Sequence, residues 1–257
     1  MNPSLLGSWE SPPQRLKVNV DQVHLWRVYI NCMNEGIGDL EVYLNGEERE
    51  RGMRLHFDHS RNQFYVSHAS LRLILSRYLD LSPIEIVFGT AAGGKPIIEA
   101  ISRTGGLSFN LSHSGEFVLI AVAREREVGV DVEQIRPTID MERLAQRYFS
   151  AYEVRELLDL PIEHREAGFF RCWTRKEAYI KARGGGLALP LDQFDVSLNP
   201  NAPAALLATR DDPNQAERWS LYNVDVHENY QAALVAEGSP SGIYYWEFGP
   251  EILPSKR

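Results

Sequence analysis

The sequence predicts an α+β protein built from two halves of similar plan, and three observations carry that prediction. Stretches with strand-like alternation and stretches with helical apolar spacing follow one another as separate elements. The order of helix, strand and paired strands seen in the first half recurs in the second. Within it, Leu107-Ser108-Phe109-Asn110 followed by Gly115 to Ala123 resembles Trp219-Ser220-Leu221-Tyr222 followed by Glu228 to Ala236.

In order along the first half, Val23 to Asn31 reads as a strand and Glu47 to Leu55 as a polar helical stretch. Ala69 to Leu79 reads as a helix, because Leu71, Ile74, Leu75 and Tyr78 recur at helical spacing. A strand is expected at Ile84 to Phe88, a turn-rich segment at Ala91 to Pro96, and a hairpin over Leu107 to Ala123 folded at Ser114-Gly115. The second half reads as a helix over Gly168 to Ala182, a strand over Phe194 to Leu198 and a strand pair over Trp219 to Ala236. The charged run Arg124-Glu125-Arg126-Glu127 interrupts two apolar stretches, so the join is expected there, dividing residues 1–127 from residues 128–257.

A chain of 257 residues can bury a sizeable core as one large domain or two ordinary ones, and 44% hydrophobic with 24% charged residues is the balance of a soluble globular protein. Met1 to Val20 lacks the pattern of a leader and no run of eighteen apolar residues occurs, which gives a cytoplasmic expectation. Cys32 and Cys172 form no Cys-x-x-Cys pair and read as buried thiols. A net charge of -8 excludes general binding to nucleic acid or to an anionic membrane, so an anionic partner must be met locally. Basic residues do cluster between Arg165 and Arg183, a pattern shared by a solvated helix face and by a surface for acidic proteins.

Four constellations carry chemistry. Gly129-Val130-Asp131-Val132-Glu133 reads as a strand whose two carboxylates leave one face, an arrangement that suits magnesium beside substrate phosphates and is shared with many solvated strands. The helix Phe170 to Lys181 ends in Gly184-Gly185-Gly186, a left-handed cap. At 100° per residue Glu177 and Lys181 fall in one stripe with Phe169, Phe170, Trp173 and Ile180, so both ionisable groups lie on the apolar side and need a partner there. Phe109-Asn110-Leu111-Ser112-His113-Ser114-Gly115 places Ser112 and His113 on opposite faces of a strand, which argues against a nucleophile and base pair and favours anion binding by His113. Gly93-Gly94-Lys95-Pro96 is too short for a Walker loop, although a lysine in a glycine turn can meet phosphate. His56 and His59 lack a third ligand and read as surface.

In this order the pieces Gly94-Lys95-Pro96, Asn110 to Ser114, Gly129 to Glu133 and Trp173 to Lys181 resemble the surfactin-type 4'-phosphopantetheinyl transferase family. The likeness extends to Phe149 to Glu153 and Gly186 to Leu191, and runs from about Glu47 to Leu198. It implies a pseudo-twofold pair of α+β subdomains, each a small antiparallel sheet packed on a long helix. It also implies transfer of the phosphopantetheine arm of coenzyme A to a serine of an apo acyl or peptidyl carrier protein, with release of adenosine 3',5'-bisphosphate. Asp131, Glu133 and Glu177 would hold magnesium, with Asp131, Glu177 and Lys181 as the catalytic group. Lys95 and Lys181 would contact phosphates, and Ser112, His113 and Arg51 would bind the 3'-phosphate end of coenzyme A.

Two positions qualify that likeness. The family often has a basic residue three positions before that of Arg51, where this chain has Glu48. Glu153 has been considered a base in the family, yet with Ser150 it spells a Ser-x-x-Glu capping box, so the base is expected to be Glu177 or a magnesium-bound water. Two linked halves can build between them a site that a homodimer builds between subunits, which makes a monomer the expected state. The rivals are a magnesium phosphohydrolase acting on a nucleotide, and a silent module that binds acidic carriers through its basic helix.

Overall fold

Alternating apolar residues set the strands of the computed structural model. In chain order these are Gln22–Tyr29 (β1), Phe88–Thr90 (β2), Pro96–Ile98 (β3), Leu107–Ser114 (β4), Phe117–Arg124 (β5) and Val128–Gln134 (β6). They continue with Phe194–Val196 (β7), Leu206–Thr209 (β8), Trp219–Asn223 (β9), Tyr230–Glu237 (β10) and Gly242–Phe248 (β11). The helices are Ile37–Leu40 (α1), Gly46–Met53 (α2), Asp58–Leu79 (α3), Met141–Tyr148 (α4), Ala151–Asp159 (α5), Ile162–Arg183 (α6) and Gln215–Arg218 (α7). The structure describes residues 8–99, 105–136, 140–186 and 189–253. Residues 1–7 of the stretch read for a leader, and Leu187 and Ala188 of the Gly186 to Leu191 motif, lie outside them.

The repeated plan is present. A lead strand (β1, β6), a helix of 22 residues (α3, α6), a short strand pair (β2-β3, β7-β8) and a hairpin (β4-β5, β9-β10) follow in that order twice. Each lead strand pairs antiparallel with the second strand of its own hairpin, Val28 opposite Val118 in one sheet and Val130 opposite Leu234 in the other. The sheets run β11-β1-β5-β4 and β6-β10-β9. Strand β11 returns from the end of the chain to lie parallel to β1, Trp246 opposite Trp26, so a segment beyond residue 128 completes the first sheet.

Burial follows the two-residue period. Val23 and Leu25 of β1 and Leu119 and Ala121 of β5 face the second sheet, where Val130, Val132, Ala232 and Leu234 meet them. The opposite faces pack on the long helices, Trp26, Val28 and Ile120 against α3 and Ala233 and Val235 against α6. Each fully buried large side chain here contributes about 1.5–3 kcal/mol. At Gly129 the fit of β6 on α6 is so close that a Cβ would stand 2.1 Å from the Ala178 carbonyl oxygen and 2.4 Å from the Ala182 nitrogen.

Some local expectations are corrected. Helix α3 begins at Asp58, well before Ala69, because its opening residues Asp58 to Gln63 are polar and give no apolar period. The segment Ile84 to Phe88 opens as a 3-10 turn, Pro83–Glu85, held by a capping box between Ser82 and Glu85, and the strand starts only at Phe88. Cys172 is buried, but Cys32 is exposed, being on the 3-10 turn that follows β1. His56 and His59 are exposed, as read. Among the described residues no helix is long and apolar enough to cross a membrane.

Candidate functional site

The two sheets meet at the edges of β4 and β6, where side chains take the place of a backbone ladder. Asn110, Ser112 and Ser114 of β4 point at β6, and each accepts a backbone N–H from it: Asn110 Oδ1 from Val130 at 2.9 Å, Ser112 Oγ from Val132 at 3.4 Å and Ser114 Oγ from Gln134 at 3.1 Å. Edge donors that would otherwise be unsatisfied in a buried seam are thereby paired. The sequence motif Asn110 to Ser114 therefore has a structural task, which reasoning from strand alternation alone did not reveal.

On the α6 side of this seam lie the ionisable groups. Glycine at 129 lets β6 sit against the last turns of α6, so Asp131 reaches Lys181: Nζ is 2.6 Å from Asp131 Oδ1 and 2.9 Å from Ser112 Oγ. Ser112 also donates to Asp131 Oδ1 at 2.8 Å, and Ser114 donates to Glu133 Oε2 at 2.8 Å. Asp131 Oδ2 is buried without a hydrogen-bond partner. Glu177, one helical turn before Lys181, accepts no hydrogen bond from a described residue. Burial first, then the Asp131 charge, pushes its carboxyl above the ordinary carboxylate value. Burial likewise lifts the Glu133 carboxyl against the Ser114 hydrogen bond, with Asp131 adding to the rise. Three carboxylates thus repel one another beside the Lys181 ammonium, and one of their oxygens is buried without a partner.

That donor set fits a hard divalent cation, which takes oxygen ligands and needs only one or two carboxylates beside substrate phosphates. Among the described residues no group of three His, Cys, Asp or Glu side chains is placed to hold a metal ion, so substrate and water would have to complete the coordination.

The remaining candidates separate into two groups. Lys95 lies at the far end of the seam, with Nζ 2.6 Å from Glu127 Oε2, 2.9 Å from the Val128 carbonyl and 3.1 Å from the Ala182 carbonyl near the C-terminus of α6. His113, on the opposite face of β4 from Ser112, lies on the α3 side, and desolvation by the atoms packed around it followed by the Lys181 charge lowers its imidazole pKa. Arg51 stands on α2 with its guanidinium 5.4 Å from the centroid of the Phe64 ring. Glu153 is fully buried, bonded to the Ser150 and Val196 amides and to Lys176 at 2.7 Å, so it fills the capping role. The basic run from Arg165 to Arg183 is not a free face. Arg171 and Arg175 donate to the chain at Leu198 and Ser197, Lys176 is buried on Glu153, and Arg183 pairs with Asp211 at 2.7 Å.

The chain is similar in sequence to known proteins along most of its length. Residues 127–235 match the 4'-phosphopantetheinyl transferase superfamily, and residues 37–125 match the family described as 4'-phosphopantetheinyl transferase, N-terminal. The chain is 36% identical over 244 residues to the 4'-phosphopantetheinyl transferase HetI of a Nostoc species, covering 95% of this chain and 100% of that protein. It is 35% identical to the 4'-phosphopantetheinyl transferase psf-1 of Bacillus pumilus, covering 72% and 77% of the two chains. A 4'-phosphopantetheinyl transferase of Bacillus subtilis is 30% identical over 75% of this chain and 82% of its own.

Proposed function

Since this chain belongs to the 4'-phosphopantetheinyl transferase family, we propose that it moves the 4'-phosphopantetheine arm of coenzyme A onto a serine of an apo acyl or peptidyl carrier protein. The observation that carries the assignment of the site is the seam cluster of Asp131, Glu133, Glu177 and Lys181, with one buried aspartate oxygen left unpartnered. Magnesium, when bound there, would offset the carboxylate repulsion and neutralise charge on the diphosphate. Asp131 and Glu177 would hold it, with Glu133 as a further ligand. Lys181, set by Asp131, Ser112 and the Val130 carbonyl, would exchange one of these three acceptors for a phosphate oxygen.

In the reaction the serine oxygen forms a bond to the β-phosphorus while the bond from that phosphorus to the bridging oxygen breaks in line. The bridging oxygen leaves on adenosine 3',5'-bisphosphate. The serine proton would pass to Glu177, whose carboxyl is made more basic by burial and the Asp131 charge. Lys95 would exchange Glu127 for a phosphate while the Val128 and Ala182 carbonyls keep it in place. Ser112, its hydroxyl filled by Asp131, Val132 and Lys181, would serve the nucleotide through Lys181. His113 and Arg51 would take the 3'-phosphate end. Residues 1–127 and 128–257 are proposed as the two subdomains, with β11 returned to the first, and a monomer suffices because one chain supplies both edges of the seam.

Incubation with coenzyme A, magnesium and an apo carrier tests this reading. Transfer adds the mass of the arm to the carrier. Release of pantetheine phosphate with no gain on the carrier identifies a phosphohydrolase instead, and no reaction with any apo carrier removes the assignment.

A further inference from the structure

The second sheet ends on β9, the outer strand of the order β6-β10-β9. Val224 donates to the Ala232 carbonyl at 3.1 Å and the Arg218 carbonyl accepts from Gly238 at 2.7 Å, so the even-numbered residues of this stretch turn their backbone groups to β10. The N–H and C=O of Leu221 and Asn223 therefore point away from the sheet, and among the described residues they make no backbone hydrogen bond. The strand also lacks the usual guards of an edge, since Trp219-Ser220-Leu221-Tyr222-Asn223 holds no charge and no proline. A groove of about 700 Å³ is lined by these five residues together with Pro200, Pro203 and Ala204.

Arg171 lines the same groove from α6, and among the described residues its guanidinium bonds only to the Leu198 carbonyl, at 2.9 Å. One turn further along α6, Arg175 is fully buried. It donates to the Ser197 hydroxyl at 3.0 Å and to Asn223 Oδ1 at 2.8 Å, while its Nε has no partner. Neither guanidinium forms an ion pair with any described residue. Burial lowers the pKa of both, that of Arg175 to about 10, where the charge of Arg171 adds to the fall. Charge withdrawn from water is costly until it meets its opposite. Because Asn223 ties the end of β9 to Arg175, a cationic spot without a counter-ion stands beside an edge without a partner strand.

We propose that the β9 edge is a docking site for an extended, acidic peptide segment of a partner protein, which adds a further strand to the sheet and sets a carboxylate against Arg171. Leu221 and Asn223 offer donors and acceptors at the spacing of alternate residues, the pattern that strand addition uses. Main-chain bonds then hold the segment and charge selects it. A carboxylate gains charge-assisted hydrogen bonds from Arg171 and offsets the charge of Arg175 behind it, whereas a lysine at that place is repelled. A second copy of this chain fits less well, because the β9 it would offer is itself uncharged. Strand β10 separates β9 from β6, so a docked segment leaves the seam open to its own substrates, whatever those are.

The test selects binders to the full chain from a library of short random peptides and measures the enriched peptides by fluorescence anisotropy. Their sequences should alternate β-branched or aromatic residues and carry an aspartate or glutamate. Replacing that acid by its amide should weaken binding about tenfold, and R171Q should lose the same factor for the acidic peptide while binding the two peptides alike. Bound peptide should slow hydrogen exchange at the Leu221 and Asn223 amides, and N-methylation of alternate peptide amides should abolish binding. The peptide-side changes and the exchange measurement need no variant, so they decide the matter even if R171Q does not fold. A selection without binders, or binders that are indifferent to R171Q or leave those amides unprotected, would overturn the proposal. Protection of the same amides by raised protein concentration alone, with dimer formation, would assign the edge to a second copy and overturn it as well.

Discussion

Substituting Gly129 by alanine changes no charged group, yet it should cost activity through geometry. The added Cβ would lie 2.1 Å from the Ala178 oxygen and 2.4 Å from the Ala182 nitrogen, whereas ordinary contact begins at 3.4 Å. Both obstacles are helix backbone, so neither can rotate away, and β6 must recede from α6 by about 1.3 Å. Asp131, two residues further on β6, is held at 2.6 Å from Lys181, and a displacement of that size breaks the bond. Overpacking of this kind costs about 1–3 kcal/mol of stability, and misplacement of reacting groups by about 1 Å costs on the order of 10²-fold in rate. G129A is therefore expected to remain folded with a lowered Tm and to lose about two orders of magnitude in kcat/KM for carrier modification. G46A is the control, since a Cβ at Gly46 meets nothing within 4 Å. A G129A enzyme with wild-type turnover would refute the claim that contact between β6 and α6 sets the site.

Two other outcomes are expected. K95A and H113A should each raise the KM for coenzyme A about tenfold or more while leaving the KM for the carrier within about twofold, as expected for a lost hydrogen bond to a charged group; equal effects on both substrates would remove them from the nucleotide site. His24, bonded to the Tyr78 hydroxyl at 2.8 Å, is held by burial at a pKa of about 4. Its neutral form is the one folded, so its contribution is complete above the unfolded value of 6.5 and is lost as pH falls through the window down to about 4. That amounts to about 3 kcal/mol. Denaturation between pH 7 and pH 4 should show this loss in the wild type and a flatter dependence in H24F, and identical slopes would contradict it.

The parts of this molecule legible in its sequence are those set by local pattern. The hairpin over Leu107 to Ala123 appears because alternation and the Ser114-Gly115 turn are both short-range, and the cap at Gly184, with φ of 67°, because glycine is the residue for that conformation. The capping box at Ser150 and Glu153 is equally local. Lys181 and Glu177 were identifiable as a pair on an apolar face, but their partners were not. Ser112 and Lys181 are 69 residues apart, and only the packing of β4 on β6 brings them to 2.9 Å. The same holds for Lys95, whose three acceptors come from β6, the residue before it and α6. Strand β11 pairs with β1 across the length of the chain, and nothing in its own alternation names that partner. The basic run ending at Arg183 looked like a surface because the carbonyls and carboxylates that absorb Arg171, Arg175 and Lys176 belong to segments that follow α6 or precede it.

The most direct test of the seam as the transferase centre is the rate of carrier modification by E177Q over a magnesium titration. Glutamine keeps the shape of the side chain but removes one of the three repelling carboxylates and the proton acceptor. The midpoint for magnesium should move to higher concentration, and the plateau at saturating metal should remain about 10²-fold below that of the wild type, the range expected for loss of a general base. A titration curve that superimposes on the wild type in midpoint and plateau would contradict the account and take Glu177 out of the site.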